Sequence, residues 1–572
     1  MRFGGEIRHD RYNQVGNQFA RGSFTFDINA TRNPATASGG DDFADFILGQ
    51  VKRSEAAVAI AEARFRSLSF AAYADDVWKV SSKFTLNFGL RYERTPPWED
   101  QTGHLITVGI PAMLSTPQVA DPNLHPYFER QGSGSFYDGL TLIWPNIQTR
   151  RDGKLGSRLV QTDNLNFAPR LGITWSPNSK WVVRTGFGLF YSQDTGNPRF
   201  DMARNLAGRT RFESIDPVLY TFDNAFASLA GAKATVLTPY AFANLYDRKT
   251  PRTMTYLLNI QRELPANALF EIGYLGSQSR HLESLRAVNE AIPGTTPVLQ
   301  RTPFAEFGRI QLVDAGANGN YNGLSAKLTK RYSAGLTALI AYTWSKSIDE
   351  SSSIRTHDGD TLFPQNSYCL RCERALSIFN AAHRLVNSVL YDIPVGRGRK
   401  FSMQNRVVNA VAGGWQLGSI VTYQTGFPLT ISANARDTSN IGAGFDRPNA
   451  VAGVSPVLPR DQQTTEHFFN VNAFAPQVFG TFGNVGRNTL TGPRIFVIDA
   501  SLIKNFNFTE TKMMQLRWET FNTTNHPNWS NPNSNFFSGR NADGTYSPNS
   551  FGSIGGTRTS MRQMQFGLKL IF

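Results

Sequence analysis

The sequence has no long hydrophobic run. Apolar residues make up 40% of the chain and its mean hydropathy is −0.31. No stretch approaches the ~18 consecutive apolar residues that a transmembrane helix requires. This excludes a helical membrane protein. Any membrane crossing must be made by strands, because only helices and closed sheets satisfy all backbone polar groups in lipid.

Cysteine is also scarce. Only Cys369 and Cys372 occur, spaced C-x2-C in a polar stretch, and the nearest histidine, His383, lies outside the usual zinc-finger spacing. A lone pair of thiolates cannot complete a four-ligand zinc site. The spacing favours a small disulfide clip in a loop, formed in an oxidising compartment, and an inert pair of thiols is the alternative.

The short motifs of enzymes are missing. There is no G-x-x-x-x-G-K-[ST] phosphate loop, no H-E-x-x-H zinc pair and no G-x-S-x-G nucleophile elbow, and the eight histidines are dispersed. Asp75 and Asp76 are adjacent on a predicted strand, so their side chains point to opposite faces and cannot act on one substrate. We predict that the chain is not an enzyme and has no catalytic, cofactor-binding or metal-binding residues.

One acidic loop segment could be imagined as a calcium site. It contains Asp349, Glu350, Asp358 and Asp360, but it lacks the regular spacing of oxygen ligands in a known calcium loop. We therefore expect these carboxylates to be solvated loop charge.

The net charge of +14 allows two interpretations. Nucleic-acid binding would need a basic reader motif, and none accompanies the scattered lysines and arginines. A basic surface facing anionic lipid headgroups or lipopolysaccharide explains the charge without such a motif. We expect outer-membrane lipid and lipopolysaccharide as partners, and no nucleic acid.

The main positive signal is alternation of apolar and polar residues with period two. In residues 84–93 every even position is apolar and every odd one is polar or glycine, so one face can meet lipid and the other water. Pro169 interrupts one such segment and predicts an edge or a bulge there. The pattern predicts thirteen strands, at 68–79, 84–93, 165–175, 181–191, 253–263, 268–275, 321–331, 335–345, 383–391, 414–424, 495–506, 513–521 and 562–572. Weaker candidates lie at 1–9, 22–30, 55–66 and 308–315.

The connections between these strands alternate between short and long. The short ones include residues 80–83 and 177–180, and the long ones are rich in Gly, Pro, Asn and Ser. The long connections are 94–164, 192–252, 346–382, 425–494 and 522–561. Short periplasmic turns and long extracellular loops are typical of outer-membrane barrels. One turn, from Pro394 to Gly413, is longer and contains a basic cluster at 396–400, which we place in the periplasm as solvated charge.

Aromatic and polar residues follow the same two-faced pattern. Aromatic side chains near strand ends predict belts at both membrane interfaces; they are Trp78, Tyr92, Trp175, Trp181, Tyr191, Tyr342, Trp344, Trp415, Tyr423 and Trp518. Polar side chains on the opposite face predict a wet interior; they are Arg170, Arg184, Asn259, Gln261, Glu271, Lys327, Arg517 and Glu519.

The last strand is the most specific single feature. Met564, Phe566, Leu568, Leu570 and Phe572 alternate up to the final residue, a phenylalanine. This ending resembles the C-terminal signal by which the assembly machinery recognises outer-membrane barrels. It implies that machinery as a partner, through the strand that ends in Phe572.

Several phrases resemble the Oar-like group of TonB-dependent receptors. The similar segments span residues ~70 to 572 and in combination are specific. They are YADDVWKV at 73–80, LNFGLRYE at 86–93, NIQRELP at 259–265, GYLGS at 273–277, YTWSKS at 342–347, GNVGRNTLTGP at 483–493 and ETFNTTNHP at 519–527.

The resemblance implies energy-coupled uptake of a bulky nutrient, such as an oligosaccharide, a peptide or a metal chelate, with no substrate-binding residue assigned. Members of the group have a plug inside a barrel of ~22 strands. We expect residues 1–572 to form one all-β, antiparallel transmembrane barrel domain, an incomplete part of such a barrel, with the signal peptide, coupling box and plug lying outside this sequence. The TonB system is then a partner only if a plug and coupling box lie upstream. The alternative is a passive pore, adhesin or structural barrel.

Overall fold

Fourteen long strands build the sheet in the part of the chain that the structure describes. The computed structural model describes residues 1–16, 21–28, 30–33, 38–56, 61–194, 196–206, 210–213, 220–226, 234–235, 238–354, 363–434, 436–442, 444–509 and 511–572. The long strands are β1 (Arg2–Gly16), β2 (Ala61–Lys79), β3 (Phe84–Arg94), β4 (Asn166–Asn178), β5 (Trp181–Tyr191), β6 (Arg252–Leu264), β7 (Ala268–Val288), β8 (Ile310–Ser333), β9 (Leu336–Asp349), β10 (His383–Asp392), β11 (Trp415–Gln424), β12 (Ile495–Asn507), β13 (Met513–Phe521) and β14 (Gln563–Ile571).

Each long strand pairs antiparallel with the next one along the chain. The all-β, antiparallel class is thereby confirmed. Within the described residues, β1 pairs only with β2 and β14 only with β13, so the ladder is open rather than closed into a cylinder. Residues 74–75 lie opposite the start of β1, and residues 513–514 lie opposite the end of β14.

The connections separate into two ends, as predicted. At the turn end the strands are joined by residues 80–83, 179–180, 265–267, 334–335, 393–414 and 508–512. At the loop end they are joined by residues 17–60, 95–165, 192–251, 289–309, 350–382, 425–494 and 522–562. We call the folded parts of these long connections the loop cap. Two turns are very tight. Ala266 and Asn267 of the three-residue turn 265–267 have φ of 61° and 59°, and Ala334 and Gly335 have φ of 50° and 80°, as a two-residue hairpin requires.

All thirteen predicted strands are present, but two are much longer than predicted. β7 has 21 residues and β8 has 24, and β8 joins the weak candidate at 308–315 to the strand at 321–331. The candidate at 1–9 is β1. The candidate at 22–30 is reduced to Ser23–Thr25, and the candidate at 55–66 is divided between Arg53–Ala56 and β2, with residues 57–60 outside the described part.

The prediction that Pro169 is tolerated at an edge or a bulge is confirmed, because Pro169 is paired on one side only. Pro169 lies within β4, which pairs with β3 on one side and β5 on the other, opposite Leu90. The pairing with β5 begins only at Arg170. Pro169 is tolerated because it lies beyond the end of that ladder, where its missing N–H removes no inter-strand hydrogen bond.

The hydrophobic cores lie in the loop cap, not between the membrane strands. One core joins residues from 106–147 and 241–243 to the loop-end parts of β7 and β8. The fully buried Trp144 and Phe128 lie at its centre. A second core joins residues 429–490 to 536–554, around Phe536. Each cluster buries aromatic rings that a short loop could not shield, so these connections are folded units.

The remaining elements are short. The loop cap contains the strands Arg32–Asn33, Ser38–Gly39, Gln50–Val51, Glu99–Asp100, Ile106–Gly109, Tyr127–Arg130, Leu142–Ile143, Gln148–Arg150, Thr210–Glu213, Tyr220–Thr221, Ala234–Thr235, Ala241–Asn244, Ala375–Leu376, Pro428–Leu429, Asn449–Ala450, Phe474–Ala475 and Leu490–Thr491. The helices and 3-10 turns are Asp42–Ile47, Pro122–Leu124, Asn197–Phe200, Ala203–Leu206, Val298–Arg301, Leu370–Glu373, Arg406–Ala412, Arg460–Gln462 and Val471–Ala473. In the described part of the chain, no helix has the length and apolar character needed to cross a membrane.

Candidate functional site

One face of the sheet is polar along its whole width. The register places Arg184 opposite Asn259, and it places Glu271 opposite both Gln261 and Lys327. Lys327 and Glu271 form an ion pair with 3.6 Å between Nζ and Oε1. Since alternate residues share a face, all eight polar residues predicted to line a wet interior lie on this polar face.

The other face is apolar and carries the predicted aromatic belts. Trp78, Trp175, Trp181 and Trp415 lie on it near the turn end. Five more lie on it near the loop end: Tyr92, Tyr191, Tyr342, Trp344 and Tyr423. Trp518 shares the face but is not at a strand end, because it is the sixth of nine residues in β13. Trp and Tyr favour the membrane–water interface, so two aromatic rows on either side of an apolar band are typical of a sheet that crosses a membrane.

At the loop end of the sheet, four charged side chains form a buried network. Arg199 is fully buried and donates from Nε to Asp194 (3.1 Å) and from Nη2 to Glu283 (2.8 Å). Arg248 contacts the same two carboxylates, 2.7 Å from Asp194. Burial raises the pKa of Asp194, but the two guanidiniums outweigh it and hold that pKa below its ordinary value. Two guanidiniums thus face two carboxylates in this network.

This first network ties the two ends of one connection, residues 192–251, to β7. Asp194 and Arg199 follow β5, Arg248 precedes β6, and Glu283 lies in the upper part of β7. Next to it is a polar cavity of about 40 Å³, lined in part by Asp194, Arg248 and Glu283. A space of this size holds a water molecule rather than a nutrient. The arrangement fixes the loops and offers no room for a ligand.

A second buried network ties the loop after β9 to the loop after β11. Arg447 donates two hydrogen bonds to the Glu373 carboxylate, at 2.7 and 2.8 Å, and both side chains are at least 95% buried. Arg487 donates to the Glu373 backbone carbonyl at 3.0 Å and also bonds the carboxylate of Asp349. Two-point pairing of this kind fixes orientation as well as distance.

The two cysteines belong to this second network. Cys369 and Cys372 form a disulfide with 5.4 Å between their Cα atoms, so the predicted loop clip is confirmed. The bridge spans the 3-10 turn Leu370–Glu373, whose last residue is the partner of Arg447. The clip therefore holds the turn that presents the Glu373 carboxylate.

Replacing both cysteines with serine should loosen this turn. A bridge across so few residues removes little loop entropy, and the expected loss is about 2 kcal/mol in the stability of the loop cap. Denaturant titration of the purified protein, followed by proteolysis of the loop cap, measures this loss. Reduction of the wild-type protein with dithiothreitol should shift the denaturation midpoint as much as the double substitution does. If only the reduced protein or only the variant shows a shift, loss of the disulfide is not the cause.

The acidic segment differs from the prediction of solvated charge. Asp349 and Glu350 are buried; Asp349 bonds Arg487, and Glu350 accepts from the backbone and side-chain nitrogens of Asn318 at 2.9 and 3.1 Å. The prediction is wrong for these two because Arg487 pairs with Asp349 and Asn318 donates to Glu350, so protein groups replace water around both carboxylates. Asp358 and Asp360 lie outside the described residues. Across the described ranges, no group of three or more His, Cys, Asp or Glu side chains is placed to hold a metal ion.

One further carboxyl in the loop cap is unusual. Asp446 is completely buried, accepts a 2.9 Å hydrogen bond from the Ser439 backbone N–H, and has its pKa raised by burial to about 6. As the pH rises from 3.8 towards about 6, the unfolded chain loses this proton before the folded chain does. The loop cap should therefore become less stable over that interval and change no further above it.

Asp446→Asn should remove this pH dependence while keeping an acceptor for Ser439. Hydrogen exchange of residues 430–490, corrected for intrinsic rates, would measure the stability of the loop cap at pH 3.8 and at about pH 6. A variant that loses protection with rising pH as the wild type does would show that another group is responsible.

A comparison with protein families agrees with this geometry. A family model described as outer membrane beta barrel domain matches residues 1–565. No curated protein matches the sequence. Similar solved structures include the outer membrane transporter YddB from Escherichia coli, with 9% identity, a TM-score of 0.40, and coverage of 91% of this chain and 54% of that one.

Two other solved structures are similar to the same extent. The ferric yersiniabactin uptake receptor FyuA from Yersinia pestis has 10% identity and a TM-score of 0.40, with coverage of 100% of this chain and 51% of that one. The siderophore receptor PiuA from Acinetobacter baumannii has 9% identity and a TM-score of 0.40, with coverage of 100% and 53%. The chain thus spans about half the length of the solved structures that it matches.

Proposed function

Because the chain belongs to the outer membrane beta barrel domain family and is a protein of the outer membrane, we propose that it is the barrel of a receptor that imports a bulky nutrient. The polar face of the sheet is the surface along which the nutrient passes. The loop cap lies on the extracellular side and makes the first contact with it.

The observation that supports this proposal is the continuous polar face beneath a folded loop cap. Amides and charged groups alternate along that face, as in the ion pair between Glu271 and Lys327. Such groups offer many weak contacts and no deep binding site, which suits passage better than retention. A purely structural barrel has no need for the buried ionic networks that hold the long connections over one end of the sheet.

Energy coupling through the TonB system is the second part of the proposal. It is supported by the resemblance of residues ~70 to 572 to the Oar-like group. The nutrient class proposed with it is an oligosaccharide, a peptide or a metal chelate. The reading frame upstream of Met1 and the N-terminus of the mature protein test this part: a plug and coupling box in frame would support it, and a signal peptide joined directly to Met1 would favour a passive barrel.

An uptake assay distinguishes the two mechanisms functionally. Cells with and without the gene would be tested for growth on maltoheptaose, a decapeptide and ferric citrate, each in the presence and absence of the inner-membrane energising complex. An active importer requires both the gene and the complex for at least one probe. Growth that requires the gene but not the complex would identify a passive pore instead.

Assembly through the last strand is a separate proposal. Phe572 is 92% exposed at the turn end, free to be bound by the assembly machinery. Phe572→Asp should abolish most of the heat-modifiable, folded form in the outer membrane while synthesis continues. Phe508→Asp is the matched control, because Phe508 is also an exposed phenylalanine of the turn end. Equal amounts of folded Phe572→Asp and wild-type protein would refute a role for the C-terminal residue.

A further inference from the structure

The turn end carries an unusual helix. In residues 393–414, the Asn405 side chain caps the helix Arg406–Ala412 by accepting from the Val407 backbone N–H at 2.9 Å. Val407 is 72% exposed and Val411 is 68% exposed. Two exposed valines on a seven-residue helix are unfavourable in water, and they are favourable where the helix lies in a membrane interface.

A lysine fixes this helix against the apolar face of the sheet. Lys504 of β12 lies opposite Trp415 in the register, on the face that carries the aromatic belts. It is 4% exposed and donates from Nζ to the backbone carbonyls of Val411 (3.2 Å) and Gly413 at the C-terminal end of the helix. The Trp415 indole N–H also donates to the Val411 carbonyl, at 2.8 Å. A cation at a helix C-terminus is stabilised by the helix dipole.

An apolar groove lies between the helix and the outer surface of β11 to β14. Its volume is about 650 Å³, and its walls include Ala410, Leu502, Leu516, Phe566 and Leu568. Phe566 is 80% exposed and Leu568 is 63% exposed. The groove is large enough for a ligand of ordinary size. Because it opens on the apolar face, its natural occupant is a hydrocarbon chain.

The turn that carries the helix wall of the groove is positively charged. The turn that holds the helix carries Arg397, Arg399, Lys400 and Arg406, all exposed, and it has no acidic residue. Arg399 pairs with Asp392 of β10 at 3.2 Å. The other three cations lie on the segment that forms one side of the groove. Arg406 begins the helix one turn before Ala410 of the groove wall, and the Arg397 backbone N–H donates to the Asn409 side chain of the same helix at 2.7 Å. This combination complements a molecule with an anionic head and apolar chains.

We propose that this groove binds an anionic glycerophospholipid of the inner leaflet, with an acyl chain against β11 to β14 and the phosphate among Arg397, Lys400 and Arg406. The site lies at the periplasmic side because the turn end is the periplasmic end of the barrel. It is independent of whatever the barrel transports. The helix and Lys504 form its wall, so the lipid anchors the open side of the sheet near β14 in the membrane.

Native mass spectrometry of the full chain in detergent tests this proposal directly. The protein would be mixed with equal amounts of phosphatidylglycerol and phosphatidylethanolamine. Wild type should retain phosphatidylglycerol in preference. Each cation removed should lower the preference for phosphatidylglycerol about fivefold. The triple variant Arg397→Gln, Lys400→Gln, Arg406→Gln should therefore lower it on the order of 100-fold.

A matched control removes three exposed cations of the loop end: Lys249→Gln, Arg371→Gln and Arg460→Gln. Its preference should equal that of the wild type. Equal retention of the two lipids by the wild type, or an unchanged preference in the first triple variant, would overturn the proposal. So would a lipid-free dimer, because the groove would then be covered by a second copy of the chain.

The groove itself is tested by a second variant. Ala410→Phe adds a ring on the helix side and leaves every cation and every strand residue in place. It should reduce the number of bound lipids of both kinds. If it retains as much lipid as the wild type while remaining folded and heat-modifiable, the acyl chain does not lie in this groove and the proposal fails.

Discussion

Replacing Glu373 with alanine should destabilise the loop cap by about 3–5 kcal/mol, because it leaves the buried guanidinium of Arg447 without its partner. Arg447 is only 5% exposed, so solvent has little access to the guanidinium that would lose these two hydrogen bonds. The backbone carbonyl of Glu373 would still accept from Arg487. Denaturant titration with proteolysis of the loop cap as the readout would measure this loss.

Two further variants determine the origin of that effect. The double variant Glu373→Met, Arg447→Met should be more stable than Glu373→Ala alone, since it removes both charges. Lys154→Ala breaks an ion pair of similar length, 2.8 Å, that is exposed to water, and it should change nothing measurable. If the double variant is as unstable as the single one, lost packing rather than an unpaired charge is the cause.

Leu171→Arg should reduce the stability of the folded barrel by about 2–4 kcal/mol, because it places a charge on the lipid face near the middle of β4. Leu171 lies between Phe88 and Phe187 in the register, so no polar neighbour can receive the guanidinium. Folded, heat-modifiable protein and its urea midpoint in lipid vesicles would measure the effect.

The control for this variant lies on the other side of the same sheet. Asn87 pairs with Gly172, the residue after Leu171, and therefore points to the polar face. Asn87→Arg adds the same side chain one row away, where water can solvate it, and it should fold normally. A similar loss in both variants would mean that the two faces are not divided between lipid and water.

The sequence predicted the membrane part of the fold well because lipid imposes a simple rule on it. Alternation with period two predicts a strand wherever one face is apolar, and it located β3, β5 and β13 to within about two residues. The same rule placed the aromatic and polar residues on their correct faces. The rule has no force above the membrane, where both faces of a strand meet water or protein.

The upper halves of β7 and β8 show this limit. Residues 276–281 read Gly-Ser-Gln-Ser-Arg-His, with no apolar alternation. They continue β7 because β6 pairs with residues 276–280 and β8 with residues 276–279. The strand here is maintained by its neighbours and by the loop core around Val288 and Ile310. Such support depends on contacts distant in sequence and leaves no local pattern.

The buried networks of the loop cap were missed for the same reason. Arg447 and Glu373 are separated by 74 residues, and Arg487 and Asp349 by 138. Nothing in either neighbourhood indicates a partner. Lys504 is different, because it is the one charged residue at an otherwise apolar position of the alternation in residues 496–506. That irregularity was a readable signal of a special contact on the lipid face.

The length of the hairpin formed by β7 and β8 sets how far the protein reaches from the cell. About 10 residues of each strand suffice to cross the hydrocarbon layer. At about 3.3 Å per residue, the remaining 11 to 14 residues extend for roughly 35–45 Å along the strand direction. The tip near Val298–Arg301 therefore stands clear of the hydrocarbon layer as part of the loop cap, with Leu299 exposed and Val298 and Arg301 buried beside it. A substitution at Leu299 would change this outer surface and leave the membrane-crossing parts of the two strands unaltered.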